Sequence, residues 1–232
     1  MKRATVFTIA AVALVMAFVV ATLLHNVKKE EPVAMPVESK GAAPATQPAP
    51  AVAPAAALVR MHSPTLGNSE APVTIVEFLD PACEACRAFY PIVKDVLLKN
   101  PDRVRLVLRY APFHRGADKV VALLDAARRQ GKFWPALEVL LATQDQWAPN
   151  HTAQVELAWK QLERLGLDPV RLRADMESPA SAQIVAQDLA DARTLNVDKT
   201  PSFFVNGRPL VTFGQEPFER LVNDALKESS RR

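Results

Sequence analysis

The run Pro72-Val-Thr-Ile-Val-Glu-Phe-Leu-Asp-Pro-Ala-Cys-Glu-Ala-Cys86 decides the fold. Its first eight residues are β-branched and apolar on both faces, with a proline at the start, which predicts a buried strand over 72–79. Asp80-Pro81-Ala82 breaks that strand. Phe89, Ile92, Val93, Val96 and Leu97 then recur at helical spacing and predict a helix from about Cys83 with one apolar face. Pro91 falls inside it and is expected to kink it. After the turn Asn100-Pro101-Asp102, residues 103–110 predict a second strand. Strand, helix and strand with short connections make a βαβ unit, so these two strands are expected to be parallel.

Working outward, the middle of the chain is helical. Segments 117–129, 132–143, 152–165, 169–176 and 179–195 carry apolar residues at three-to-four spacing, separated by Gly131, Pro149-Asn150, Gly166 and Ser178-Pro179. Strand character returns over 202–205. Asn206-Gly207 predicts a tight hairpin, and 209–212 its second strand, placed at the sheet edge by Pro209. A closing helix is expected over 217–227. The fold class is therefore α/β: βαβ, a helical block over about 115–195, then ββα, around a mixed sheet.

The first 62 residues read differently. Met1-Lys2-Arg3 precedes an uncharged run from Ala4 to Leu24, long enough at about 1.5 Å per residue to cross a bilayer core of roughly 30 Å. Residues 1–27 are thus a membrane anchor, or alternatively a cleaved signal peptide, for which Val19-Val20-Ala21 is a mediocre site. Lys2 and Arg3 would stay on the cytoplasmic side, so the remainder of the chain is expected to be exported. Residues 28–62 are a Pro- and Ala-rich linker with six prolines between 28 and 57, a composition that leans to extended polyproline II. The folded domain is expected over 63–232, long enough for a proper core.

Composition excludes several classes. Two cysteines in 232 residues cannot build a disulfide-dense scaffold or a four-thiolate zinc site. The net charge of +3 resides in residues 1–60, where Lys2, Arg3, Lys28, Lys29, Lys40 and Arg60 face Glu30, Glu31 and Glu38, so the domain itself is balanced. That argues against a nucleic-acid partner, which calls for a concentrated basic face.

The only cysteines stand in Cys83-Glu84-Ala85-Cys86. A disulfide between them closes a loop of four residues and is a poor staple, near the bottom of the loop-entropy scale. As a redox pair the placement has a physical reason. Cys83 falls at a helix N-terminus, where free N–H groups and the helix dipole stabilise a thiolate, and Cys86 lies one turn along to resolve a mixed disulfide. No second such pair and no nearby histidine pair completes a zinc site, since His62, His114 and His151 are scattered. A Cu(I) site on the two thiolates is the alternative. His114, after Arg109-Tyr-Ala-Pro-Phe113, is placed where it could approach the active site, but reads better as a surface or core histidine. Phe133-Trp134, Trp147 and Trp159 read as core or hinge aromatics of the helical block.

Glu77-Phe-Leu-Asp-Pro-Ala-Cys-Glu-Ala-Cys86 together with Thr200-Pro-Ser-Phe-Phe-Val-Asn-Gly207 resembles the thioredoxin-fold superfamily, over about residues 64–228. The helical block between the motifs resembles the DsbA-like branch of bacterial envelope thiol-disulfide oxidoreductases. The resemblance implies that Cys83 is the nucleophile and Cys86 the resolving thiol, cycling through a Cys83–Cys86 disulfide. It also implies that Thr200-Pro201 is a cis-proline loop that pairs with substrate backbone, and that Glu77 is a buried acid serving proton transfer. A carboxylate inside an apolar strand is costly to bury, and a partly exposed or salt-bridged Glu77 is the plainer alternative. DsbA-type oxidases carry Pro-His between the cysteines. Here Glu84-Ala85 stands instead, and a neighbouring negative charge disfavours a thiolate. Thr200 before the proline points the same way, toward reductase and isomerase relatives.

The function expected is that of a periplasmic, inner-membrane-tethered thiol-disulfide oxidoreductase. It acts on cysteines of unfolded or extended exported polypeptides, reducing or isomerising more than strongly oxidising. A DsbB-like or DsbD-like membrane protein would reset it. No organic cofactor and no metal are implied, and a monomer is expected, because the linker stands where dimeric isomerases of the group carry a dimerisation domain. A copper-handling or chaperone protein using the two thiolates as ligands is the rival.

Overall fold

The computed structural model describes residues 52–231, all within one compact unit spanning 48–232. Residues 4–24, expected to anchor or export the chain, lie outside the described residues. Among the described residues no helix is long and apolar enough to cross a membrane.

Five strands form one mixed sheet: β1 (Thr65–Leu66), β2 (Val73–Leu79), β3 (Val104–Tyr110), β4 (Ser202–Val205) and β5 (Arg208–Pro209), in the order β1-β3-β2-β4-β5. β2 and β3 are parallel over their whole length, from Val73 opposite Val104 to Leu79 opposite Tyr110. β4 runs antiparallel to β2 and places Phe203 opposite Glu77. Helix α2 (Glu84–Lys99) is the crossover between β2 and β3 and continues through Pro91. Asn206 and Gly207 both take positive φ, at 46° and 83°, as an Asn-Gly hairpin turn requires. β5 is shorter than the expected 209–212. Leu210 N–H still donates to Phe203 O at 2.8 Å, and because β4 starts only at Ser202, opposite Val211, nothing of it remains opposite Thr212.

Side chains alternate across a strand, and this sorts the core. Val73, Ile75, Phe203 and Val205 face α2 and the closing helix α9 (Gln215–Ser229), packing on Phe89, Val93, Phe218 and Val222. Val76, Phe78, Val107 and Phe204 face the other way, toward Leu58, Ala192 and Val197. A third cluster joins the carboxyl ends of β2 and β3 to the helical block through Leu79, Leu108, Tyr110, Leu124, Leu137 and Trp147. The block comprises α3 (Ala117–Arg129), α4 (Phe133–Ala142), α5 (Gln144–Trp147), α6 (Val155–Gln161), α7 (Pro169–Met176) and α8 (Pro179–Thr194). The helix expected over 152–165 is α6 followed by a 3-10 turn at Glu163–Leu165. The tryptophans are packing residues, as expected. Trp147 is buried and its indole N–H donates to Leu140 O at 2.9 Å, Trp134 donates to Thr65 O, and the Arg173 guanidinium lies over Trp159.

Residues 52–62, assigned to the linker on composition, are instead part of the packed structure. Ala53 N–H donates to Gly207 O at 2.8 Å. Helix α1 (Ala55–Leu58) buries Leu58 against the outer face of the sheet. The cause lies far along the chain. Arg109, on that same face, is fully buried and donates to the carbonyls of Ala57 (2.7 Å) and Leu58 (3.0 Å). Its charge is met by Asp188 at 2.7 Å and Asp191 at 2.6 Å, both from α8. Arg60 closes the network on Asp191 and His62 contacts Asp188 at 2.6 Å. Burial alone would push the Asp191 carboxyl up, but the hydrogen bonds from Arg60 and Arg109 hold it down at about 2.

A chain beginning at residue 61 loses the Leu58 contact, worth about 2 kcal/mol, and leaves two donors of Arg109 without acceptors, at about 1–3 kcal/mol more. Its thermal midpoint should fall by about 10 °C relative to a chain beginning at residue 48. Calorimetry on the two checks this, and equal midpoints would show that the arm contributes nothing.

Candidate active site

Cys83 is the N-cap residue of α2, in extended conformation (φ −80°, ψ 120°), and Cys86 comes one turn in. Cys86 is fully buried and Cys83 is 6% exposed. Both are free thiols. The expected Cys83–Cys86 disulfide is thus not formed here, and the structure describes the dithiol state. The Thr200–Pro201 peptide is cis, and Cys83 Sγ donates to Thr200 O at 3.3 Å. The two sequence motifs, 117 residues apart at these positions, therefore meet at one sulfur.

The electrostatics separate the two thiols. Cys83 is lowered to about 5. The hydrogen bond from the Cys86 thiol is the largest cause, and Thr200 and the backbone N–H groups of Ala85 and Cys86 add to it against the cost of burial. Cys86 goes the other way: burial, its hydrogen bond to Cys83 and the nearby Glu77 charge raise it well above an ordinary thiol. Glu84 and Ala85 are exposed, so water screens the Glu84 charge, and hydrogen bonds dominate at Cys83.

Glu77 is fully buried. Strand alternation puts it with Val73 and Ile75 on the face covered by α2. Neither carboxylate oxygen has a hydrogen-bond partner among the described residues. Burial, and then the Cys83 charge, push its pKa up to about 8. The plainer sequence alternative, an exposed or salt-bridged Glu77, is not what the strand provides.

A low-pKa sulfur at a helix N-terminus, a buried partner thiol, an acid beneath them and an adjacent cis-proline loop form a unit able to exchange disulfides. A family model described as Thioredoxin matches residues 60–224. The chain belongs to the thioredoxin family. A thioredoxin-like oxidoreductase from Silicibacter pomeroyi is 30% identical, with a TM-score of 0.65 over 78% of this chain and 99% of that one. Wolbachia pipientis alpha-DsbA1 shares the fold at 15% identity, with a TM-score of 0.66 over 75% of this chain and 96% of that one. This thioredoxin-family chain has the thioredoxin fold with a helical block inserted, the fold it shares with alpha-DsbA1. Among curated relatives, the Na(+)/H(+) antiporter NhaA 3 of Salinispora tropica is 37% identical over 145 residues, 61% of this chain and 21% of that protein. The chain thus spans about a fifth of that first relative's length.

Three residues that the sequence did not assign to the site complete it in this thioredoxin-family protein. Asp80, fully buried, accepts from Ala82 N–H and from both the backbone N–H and the Nδ1 of His114. Gln144 Nε2 donates to Pro81 O and Cys83 O. His114 therefore does approach the active-site loop, where sequence placed it on the surface or in the core. The ring also stacks on His151 at 5.1 Å. The Asp80-Pro81 break was the only local signal for this arrangement. Among the described residues no three His, Cys, Asp or Glu side chains converge as a metal site.

The raised Glu77 pKa carries a stability cost with a definite window. Below about pH 4.5 the group is protonated in both folded and unfolded chains. Between 4.5 and 8 the unfolded chain ionises while the folded one does not, so folded stability falls until about pH 8. Glu77→Gln in the reduced protein should match the parent chain at pH 4 and exceed it by about 2–4 kcal/mol at pH 8. Parallel denaturant titrations at both pH values measure this. A gain independent of pH would place Glu77 in a solvated setting.

Proposed function

We propose that the protein is a thiol-disulfide oxidoreductase of the bacterial periplasm, tethered by its N-terminal segment, acting on cysteines of extended exported polypeptides. The observation that carries this reading is the Cys83 sulfur at the start of α2, 3.3 Å from Thr200 O in the cis Thr200–Pro201 loop, with its pKa lowered to about 5. The Cys83 thiolate attacks a substrate disulfide, forming a mixed disulfide and releasing one substrate thiolate, which takes a proton from water. Loss of the Cys83 charge removes one of the two causes that raise Glu77. Glu77, once its own proton has passed to solvent, accepts the Cys86 proton, and the Cys86 thiolate attacks the Cys83 sulfur. The Cys83–Cys86 disulfide forms and the second substrate thiolate leaves. Thr200 and Pro201 align the substrate backbone beside Cys83.

The direction proposed is reduction or isomerisation more than strong oxidation. A Cys83 pKa of about 5 is above the roughly 3.5 of a strongly oxidising DsbA and below the roughly 7 of thioredoxin. Less thiolate stabilisation makes a less oxidising disulfide. In this reading a DsbD-like membrane protein returns electrons to the pair, whereas a DsbB-like partner would serve an oxidant. The likeness to a segment of membrane antiporters supports a domain of this kind working beside a membrane.

Equilibration with glutathione measures the direction. A potential of about −200 mV or below is expected, and one near about −120 mV would make the protein a disulfide donor. Cys83→Ser should abolish exchange, whereas Cys86→Ser should accumulate mixed disulfides with substrate. Turnover retained without Cys83 would remove the nucleophile assignment.

A further inference from the structure

The loop before Cys83 is held from the helical block. Pro81 and Ala82 are buried, so their backbone groups need protein partners. Gln144, 2% exposed at the start of α5, gives its amide hydrogens to Pro81 O (2.7 Å) and Cys83 O (3.0 Å). Its own Oε1 has no partner among the described residues, so those two bonds alone orient the amide. On the other side, Asp80 takes Ala82 N–H at 2.8 Å and the His114 Nδ1 at 2.7 Å. The Asp80 carbonyl takes Cys83 N–H at 3.1 Å. With Asp80 ionised, His114 Nδ1 carries the proton that closes the pair. The His114 backbone N–H adds a third bond to the same carboxylate.

We propose that Gln144 and His114 are positioning residues through which the helical block sets how strongly the Cys83–Cys86 pair favours its dithiol form. The inference rests on the reading of these cysteines as a redox pair. Its physical basis is that the clamp matters unequally in the two redox states. In the disulfide, a covalent bond to Cys86 fixes Cys83. In the dithiol no covalent bond fixes the sulfur, and it stays over the N–H groups of Ala85 and Cys86 through its hydrogen bonds and the backbone around Cys83. Releasing the Pro81 or Cys83 carbonyl lets the flanking peptides turn, and the sulfur loses those donors. Loosening the clamp therefore destabilises the dithiol more than the disulfide.

The test uses the chain of residues 1–232 and its variants Gln144→Ala, His114→Ala and His114→Asn. Three quantities are read: the glutathione equilibrium constant, the thiolate absorbance titration of Cys83, and the thermal midpoints of both redox forms. Gln144→Ala and His114→Ala should move the equilibrium about tenfold toward the protein disulfide, which is about 30 mV, and raise the Cys83 titration by about one pH unit. His114→Asn keeps a donor near the Nδ1 position without a titrating ring and should restore most of the parent value. A purely structural role predicts equal losses of midpoint in both redox forms with the equilibrium constant and titration unmoved, and that result overturns the proposal. If Gln144→Ala does not fold, the two His114 variants decide alone. A parent chain that never equilibrates with glutathione refutes the redox reading itself, an outcome distinct from a parent that equilibrates beside variants that do not shift.

Discussion

A thiolate persists only where something meets its charge. Here the sulfur of Cys83 is met by hydrogen, from the Cys86 thiol and from the N–H groups of Ala85 and Cys86 at the start of a helix. Everything else in the structure keeps that sulfur in place. The strand Val73–Leu79 delivers the chain to the helix start. The register with Phe203 brings the Thr200–Pro201 loop alongside. The helical block grips the two residues in between. A surface lysine or histidine would stabilise a thiolate too, but such a charge is screened and mobile. Backbone dipoles are fixed by the fold, so the chemistry inherits the rigidity of the scaffold.

The sheet also carries two buried charges of opposite fate. Glu77 and Arg109 lie on neighbouring parallel strands but project from opposite faces of the sheet. Arg109 is given two carboxylates and two carbonyls. Such a network holds distant segments together and is costly only when one member is lost. Glu77 has no hydrogen-bond partner among the described residues. An unpartnered buried acid contributes no stability, and in the proposed exchange its nearness to the two thiols gives it a chemical use. The same cost of burial is thus discharged in one case by structure and left standing in the other by chemistry.

How much of this could be read beforehand depends on range. The βαβ unit, the cysteine pair at its helix start and the hairpin at Asn206-Gly207 are local patterns, the longest of them contained in Val73–Tyr110. Helices such as Pro169–Met176 were marked by their own proline starts and spacing. Arg109 was visible only as a charge in a strand, because its acidic partners stand about 80 residues away in α8. Gln144 had no signal, since an amide shows its meaning only when two carbonyls lie in front of it. His114 was misjudged for the same reason. The linker boundary was misplaced because proline and alanine content says how a segment behaves alone. It does not say that a buried arginine waits for its carbonyls.

The docking of Ala53 on Gly207 has a consequence of a different sort. Asn206 N–H bonds Thr74 O, so this contact sits at the amino end of β2, while Cys83 lies beyond its carboxyl end. Seven residues of strand separate the two, about 23 Å. A Cβ at position 207 would meet the Val52 side chain and the Ala53 backbone, so the arm enters by a closely fitted route. The described chain therefore begins at the pole of β2 opposite the thiols.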